Sequence, residues 1–287
     1  MLVAATLWGS IGIFYKFIIG DYGLSPLSAV MARGTVSCAI LIGGLAIFRR
    51  DLLRVKRRDV PYFAVMGFVT TTLVYVLYAY AITLAGVSIA AVLQYTAPVF
   101  VTIIAWRAFH ERLDRAKIAA LLLALAGVAL IARVYNPSGA VINPLGLLCG
   151  VGTGLCFGLY SIFSKRAVKM YSPWTVTTYN ISFGMLFLAL FQMPATITAV
   201  AAAPGAIPFI IAMAVGPTVA AHALYLSGLT HVPASNASIM ATWEPATATI
   251  LAYVILGETL DGPQLLGALA IMLGVILLSR NGQPCKF

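Results

Sequence analysis

The sequence predicts an all-α integral membrane protein, ten transmembrane helices arranged as two five-helix repeats of opposite orientation. Composition is the first observation behind this. Of 287 residues, 61% are hydrophobic and 9% charged, where a soluble globular chain carries roughly 25% charged residues. Such a chain cannot cover itself with polar surface, so it belongs in a bilayer. Duplication is the second. The stretch from Pro61 to Arg133 lies on that from Pro208 to Arg280 at a shift of 147 without a gap, and a repeat is read before anything else. Thr71 meets Thr218, Tyr78 meets Tyr225, Pro98 meets Pro245, Glu111 meets Glu258 and Asp114 meets Asp261. Lys16 meets Lys165 at a shift of 149, after a two-residue deletion. Charge placement is the third. Fifteen of the eighteen Lys and Arg residues fall on one side of a ten-span layout, which the positive-inside rule makes cytoplasmic.

In chain order, apolar runs near the ~20 residues that cross a bilayer fall at about 2–20, 26–48, 61–84, 87–109, 116–134, 144–168, 173–193, 206–229, 232–256 and 262–280. Met1 runs straight into span 1 with no basic leader, which argues against a signal peptide. Basic residues cluster after span 2 (Arg49 to Arg58), span 4 (Arg107 to Lys117) and span 6 (Lys165 to Lys169), and in the tail. Both termini are therefore expected in the cytoplasm. The net charge of +10 sets orientation and needs no nucleic-acid partner. The copies divide the chain into 1–138 and 139–287, five spans each. Five is odd, so the second copy enters inverted, with Glu111 facing the cytoplasm and Glu258 the outside. Inverted repeats hold a substrate near the midplane where the copies meet, which makes a small-molecule transporter the leading class.

Within the spans, short links ("LAGVS", "LTHVPAS") make spans 3–4 and 8–9 tight hairpins. Asp114 and Asp261 sit where a short side chain caps a helix N-terminus, and Asp261-x-x-Gln264 resembles a capping box. Glu111 and Glu258 read as helix-end electrostatics. Pro98 and Pro245 fall mid-span, where each removes a hydrogen bond and meets the carbonyl four residues back, at Gln94 and Ala241. Their matched positions favour a hinge over a static kink. Gly146, Gly150, Gly154 and Gly158 form a ridge on span 6 that lets a helix approach closely. The four cysteines read as small packing residues, and no metal site or cofactor is expected.

Helical spacing sorts the polar residues into faces. Thr71, Tyr75 and Tyr78 share a face of span 3, and Thr218, His222 and Tyr225 the matching face of span 8. Span 4 offers Ser88, Gln94 and Tyr95. Span 9 offers Asn236, Met240 and Trp243 at spacings of four and three, with Glu244 alongside. Trp8, its counterpart Phe157, and Tyr160 are placed to close the ends of a cavity. Glu244 is the sharpest residue, because an ionised carboxylate near mid-membrane is costly and its counterpart is Ala97. Three roles compete for it: holding a substrate ammonium, carrying a coupled proton, or pairing with Arg33, Lys16 or Asn180. Arg33 and Lys16 lie nearer span ends, and the absence of mid-membrane Lys or Arg from spans 4 and 9 argues against phosphate-bearing substrates.

The twice-occurring hairpin, "YAITLAGVSIAAVLQYTAPVFVTIIAWRAFHERLD" and "LYLSGLTHVPASNASIMATWEPATATILAYVILGETLD", resembles the signature of the drug/metabolite transporter superfamily, EamA branch. "WGSIGIFYK" and the following "SP" resemble its first-span pattern. The resemblance covers essentially the whole chain. It implies a basket-like inner-membrane carrier whose cavity is lined by spans 1, 3, 4, 6, 8 and 9, and it is closest to the YddG-type exporters of aromatic and other neutral amino acids. A multidrug exporter of lipophilic cations is the rival, since a carboxylate in an aromatic pocket would serve it too; a passive channel is the third reading. An enzyme is not expected, because every aspartate lies at a span end or in a loop and no nucleophile motif occurs. The chain is expected to work as a monomer.

Overall fold

The computed structural model describes residues 1–136, 143–257 and 259–280. The expected boundary between the copies, Glu258 and Cys285 lie outside the described residues. Among the described residues nine helical stretches are long and apolar enough to cross a membrane: Leu2–Asp21, Pro26–Phe48, Arg57–Ala85, Val87–Phe109, Pro144–Ala167, Pro173–Ala202, Pro204–Leu229, Ala234–Leu256 and Gly262–Arg280. The remaining one, span 5, is the 17-residue helix Arg115–Ile131. At 1.5 Å per residue it is about 26 Å long, at the short limit for a crossing. These ten spans keep the numbers used above, and no strand occurs among the described residues. Span 7 runs on to Ala202, through Pro194, rather than stopping at residue 193. Membrane helices tolerate such a proline where local adjustments re-satisfy the backbone.

The packing has a two-fold character that follows from the duplication. Spans 3 and 4 pack on span 6, and their counterparts 8 and 9 pack on span 1. Span 3 meets span 7 as span 8 meets span 2, while 2 packs on 7 and 5 on 10. The 5–10 crossing repeats its own contacts. A Cβ on Gly127 would lie 2.6 Å from the Gly267 carbonyl, and one on Gly274 would lie 3.0 Å from the Ala120 carbonyl; Gly274 is the counterpart of Gly127, and Gly267 that of Ala120. Connections between spans are short, so successive spans alternate in direction and the five-span copies run in opposite senses. The outward faces carry exposed apolar side chains such as Ile47, Leu190, Phe191 and Val254, as a lipid-facing surface requires.

Among the described residues five spans are irregular: span 1, which breaks at Ser10 and ends in a π-helical turn at Lys16–Asp21, and four others whose irregularities come in matched pairs. Span 4 breaks between the helices Val87–Gln94 and Ala97–Phe109. Span 9 breaks between Ala234–Ala241 and Trp243–Leu256. Each first helix stops at the residue whose carbonyl the proline would meet. A threonine closes the last turn before each break: Thr96 Oγ1 donates to the Leu93 carbonyl at 2.6 Å and Thr242 Oγ1 to that of Ile239 at 2.6 Å. Spans 3 and 8 each contain a π-helical turn, at Phe68–Leu73 and Ala214–Ala220, a feature concentrated at functional sites. Of the cysteines, Cys38, Cys149 and Cys156 are free thiols.

Candidate functional site

The breaks and π turns surround a cavity of about 430 Å³. Its wall takes in Trp8, Thr71, Tyr75, Tyr78, Gln94, Tyr95, Phe157, Tyr160, Thr218, His222 and Glu244. Spans 2 and 7 contribute as well, through Arg33, Val30, Asn180 and Met185, which enlarges the six-span lining implied by the family resemblance. The wall rises to Ile19, Pro26, Leu27 and Ile82, at the span ends opposite the basic loops.

Toward the basic loops the cavity has an aromatic floor. The Trp8 ring lies 5.1 Å from Tyr225 and meets His222 edge-on at 5.3 Å, and Tyr160 stacks on Tyr225 at 5.8 Å. His222 Nδ1 lies 2.8 Å from the Thr218 carbonyl and 3.5 Å from the Trp8 indole nitrogen. One nitrogen cannot donate to the first and accept from the second. The shorter contact wins, so Nδ1–H donates to Thr218 and the Trp8 contact is ring packing; Nε2 is then the acceptor of the neutral ring.

Below the floor the two copies are tied together. Glu111, at the end of span 4, accepts from the Ala234 N–H at 2.6 Å and from the Ser235 N–H at 3.2 Å, and the Ser235 hydroxyl donates to it as well. It therefore caps span 9, a helix end in the other copy rather than its own. Lys117 Nζ lies 3.7 Å from the same carboxylate and donates to Ser235 Oγ at 2.8 Å. Lys165 Nζ donates to the Leu229 and Val232 carbonyls at 2.7 and 2.8 Å. Asp114 caps span 5 by accepting from the Lys117 N–H at 2.7 Å. Asp261 and Gln264 close the expected capping box at 2.9 and 3.3 Å.

Several expected site residues lie elsewhere. Tyr225 is behind the wall, its hydroxyl paired with Ser161 Oγ at 2.7 Å. Met240 packs with Ala120, Ala124 and Leu278. The Trp243 indole donates to Thr6 Oγ1 at 3.1 Å and packs toward Val128 and Val275. Asn236 is buried outside the cavity wall, its side-chain oxygen without a hydrogen-bond partner, and Ser88 is exposed. One cause covers Met240 and Trp243: the face they share turns to spans 5 and 10, while Glu244, one residue on, points away from that face and into the cavity.

Glu244 does reach the cavity, in the first turn of its helix, the electropositive end of the helix dipole. Tyr95 lines the same cavity near it. The expected pairing with Asn180 does not form, since Asn180 is engaged by Thr70 at 3.0 Å and Thr71 at 3.4 Å. Arg33 lies toward one end of span 2, as expected, but it still reaches the cavity. It sits in the cavity wall, where its guanidinium donates to Thr218 Oγ1 at 3.3 Å and to the Tyr75 hydroxyl. With a cation there, supplied by span 2, the sequence argument against phosphate-bearing substrates, which weighed spans 4 and 9, no longer holds. Among the described residues no cluster of His, Cys, Asp and Glu is suited to a metal ion.

Comparisons with known proteins fit this geometry. The profile of the EamA-like transporter family matches residues 1–133 and 144–280. An uncharacterized transporter of Archaeoglobus fulgidus is 30% identical, over 98% of this chain and 95% of its own. The uncharacterized inner membrane transporter YicL of Salmonella typhimurium is 28% identical over 99% and 95%. The threonine/homoserine exporter RhtA of Salmonella typhimurium is 31% identical over 44% of this chain and 42% of its own. A solved crystal structure superposes with a TM-score of 0.78 at 18% identity, covering 97% of this chain and 94% of the other, a likeness of fold alone.

Proposed function

The chain belongs to the EamA-like transporter family, and from that premise we propose that it exports small neutral or zwitterionic metabolites, foremost aromatic and other neutral amino acids, by alternating access. The observation that carries this reading is the cavity of about 430 Å³, placed between the copies and inside the roughly 300–1,000 Å³ range of small-molecule sites. Aromatic faces provide stacking surface, and Gln94 and Glu244 provide orientation. The YddG-type resemblance and the partial likeness to RhtA point to amino acids. The protein works as a monomer in the bacterial inner membrane with both termini cytoplasmic.

The structure then corresponds to the outward-open state. In the opposite state the Glu111 tie opens, the external ends of spans 4 and 9 close, and the copies 1–138 and 139–287 rock about Pro98 and Pro245. Only a substrate or proton that binds the two states unequally shifts their balance. Glu244 either holds the substrate ammonium or carries a coupling proton. In vesicles with purified protein, labelled phenylalanine is expected to show saturable counterflow. Glu244→Gln is expected to lower it at least about tenfold, the scale of one lost charge-assisted hydrogen bond. A drop with an unchanged pH profile assigns the ammonium; a flattened profile assigns the proton. Counterflow of a lipophilic cation in place of any amino acid would convert the protein to a multidrug exporter, and flux without saturation or counterflow to a channel.

A further inference from the structure

Arg33 is a charged group held in an unusual setting. It lies in the first third of span 2, Pro26–Phe48, and only 5% of it is exposed, yet it forms part of the cavity wall. Everything that holds it is neutral. Thr218 Oγ1 and the Tyr75 hydroxyl accept from its two terminal nitrogens. The rings of Tyr15 and Tyr75 lie 5.8 and 5.6 Å from its central carbon. Among the described residues, no carboxylate comes within ion-pair distance of it. A buried charge is ordinarily paired, because leaving it unpaired is costly. Hydroxyls and ring faces orient this guanidinium and compensate it only in part. It has five N–H donors, and the two hydroxyls and Tyr15 occupy at most three.

We propose that Arg33 is the carboxylate-recognition residue of the cavity, restricting transport to substrates with a free carboxylate. The inference rests on the carrier reading and narrows it. A guanidinium fork fits a carboxylate through two parallel hydrogen bonds, in a way an ammonium does not. Glu244 lines the same cavity and is near enough for the two charges to interact. The wall therefore offers one fixed cation, one carboxylate and tyrosine faces between, the complement of an α-amino acid zwitterion with a bulky side chain. An amine without the carboxylate would leave Arg33 unanswered, which is the arrangement that gives strong discrimination.

The test is a competition series on the reconstituted wild-type protein, with labelled phenylalanine in counterflow. Phenylalanine, phenylalanine amide and phenylethylamine differ at the carboxylate alone. The amide and the amine are expected to compete at least about tenfold less well than the amino acid. In Arg33→Gln the three are expected to become equal, with Arg33→Lys between. Because the wild-type series stands alone, a misfolded variant does not shelter the idea. Equal competition by all three in the wild type, with phenylalanine still exchanging, would overturn the role of Arg33 and leave the carrier intact. No counterflow of any amino acid would overturn the amino-acid reading, and this inference with it.

Discussion

At the basic-loop end of spans 4 and 9, the helices Ala97–Phe109 and Ala234–Ala241 pack together, and Glu111, Ser235 and Lys117 bind across the contact. At the opposite end, the counterpart helices Val87–Gln94 and Trp243–Leu256 do not pack on each other to any comparable extent, and the cavity rises between neighbouring spans. The same sequence unit is thus closed at one face and parted at the other. Local sequence sets the helices and their breaks; which end is shut depends on the relative placement of the copies. A duplicated chain can therefore hold one fold and two arrangements.

Three changes test that contrast, in falling order of effect. Glu111→Ala removes the only carboxylate paired with buried Lys117 among the described residues. Breaking a buried pair from one side costs about 3–5 kcal/mol. A large fall in melting temperature in detergent is expected, together with more labelling of a cysteine placed at Ser235. Pairing the change with Lys117→Met is expected to restore much of the stability; an unshifted melt would mean that the closed end is held by something else. Next come Gly9→Val and Gly158→Val, at counterpart positions. A Cβ at Gly9 would lie 2.9 Å from the Glu244 carbonyl and 2.9 Å from the Ala248 nitrogen, and one at Gly158 3.0 Å from the Ala97 carbonyl. Overpacking of this kind costs about 1–3 kcal/mol. Both variants are expected to lose counterflow, Gly9→Val the more completely because it presses on the backbone of Glu244.

The smallest effect lies at the cap of span 10. The Gln264 N–H donating to Asp261, with help from Tyr135 and Arg133, holds the Asp261 carboxyl below the usual carboxylate range. A depressed value means stability that is present above the ordinary value of about 3.9 and is lost as pH falls through the depressed one. Asp261→Asn should lower the melting temperature slightly at neutral pH, and the difference should vanish in acid. A difference that grows in acid would reverse the sign of the linkage.

Much of this was legible in the sequence. The ten spans follow from apolar run length, the two-fold packing from the gapless repeat, and the breaks from Pro98 and Pro245. Asp261 and Gln264 announced their cap by spacing. The cavity wall was legible where a polar face repeats in both copies, as with Thr71, Tyr75 and His222. It was not legible for Arg33 and Asn180, whose positions depend on how spans 2 and 7 meet the hairpins. Trp243 was misplaced because spacing defines a shared face but not which neighbouring spans that face meets, here spans 5 and 10.

A carrier built from two identical halves would have no reason to rest facing one way rather than the other. Any resting preference must come from positions where the copies differ. Lys117 is one: its counterpart, Gln264, is neutral, bonded to Arg133 and the Ile131 carbonyl. The Glu111–Lys117 charge pair thus has no equivalent at position 264, and each ~1.4 kcal/mol of such imbalance changes the ratio of the two populations about tenfold. Direction of rest, in this architecture, is written in the mismatches of the repeat.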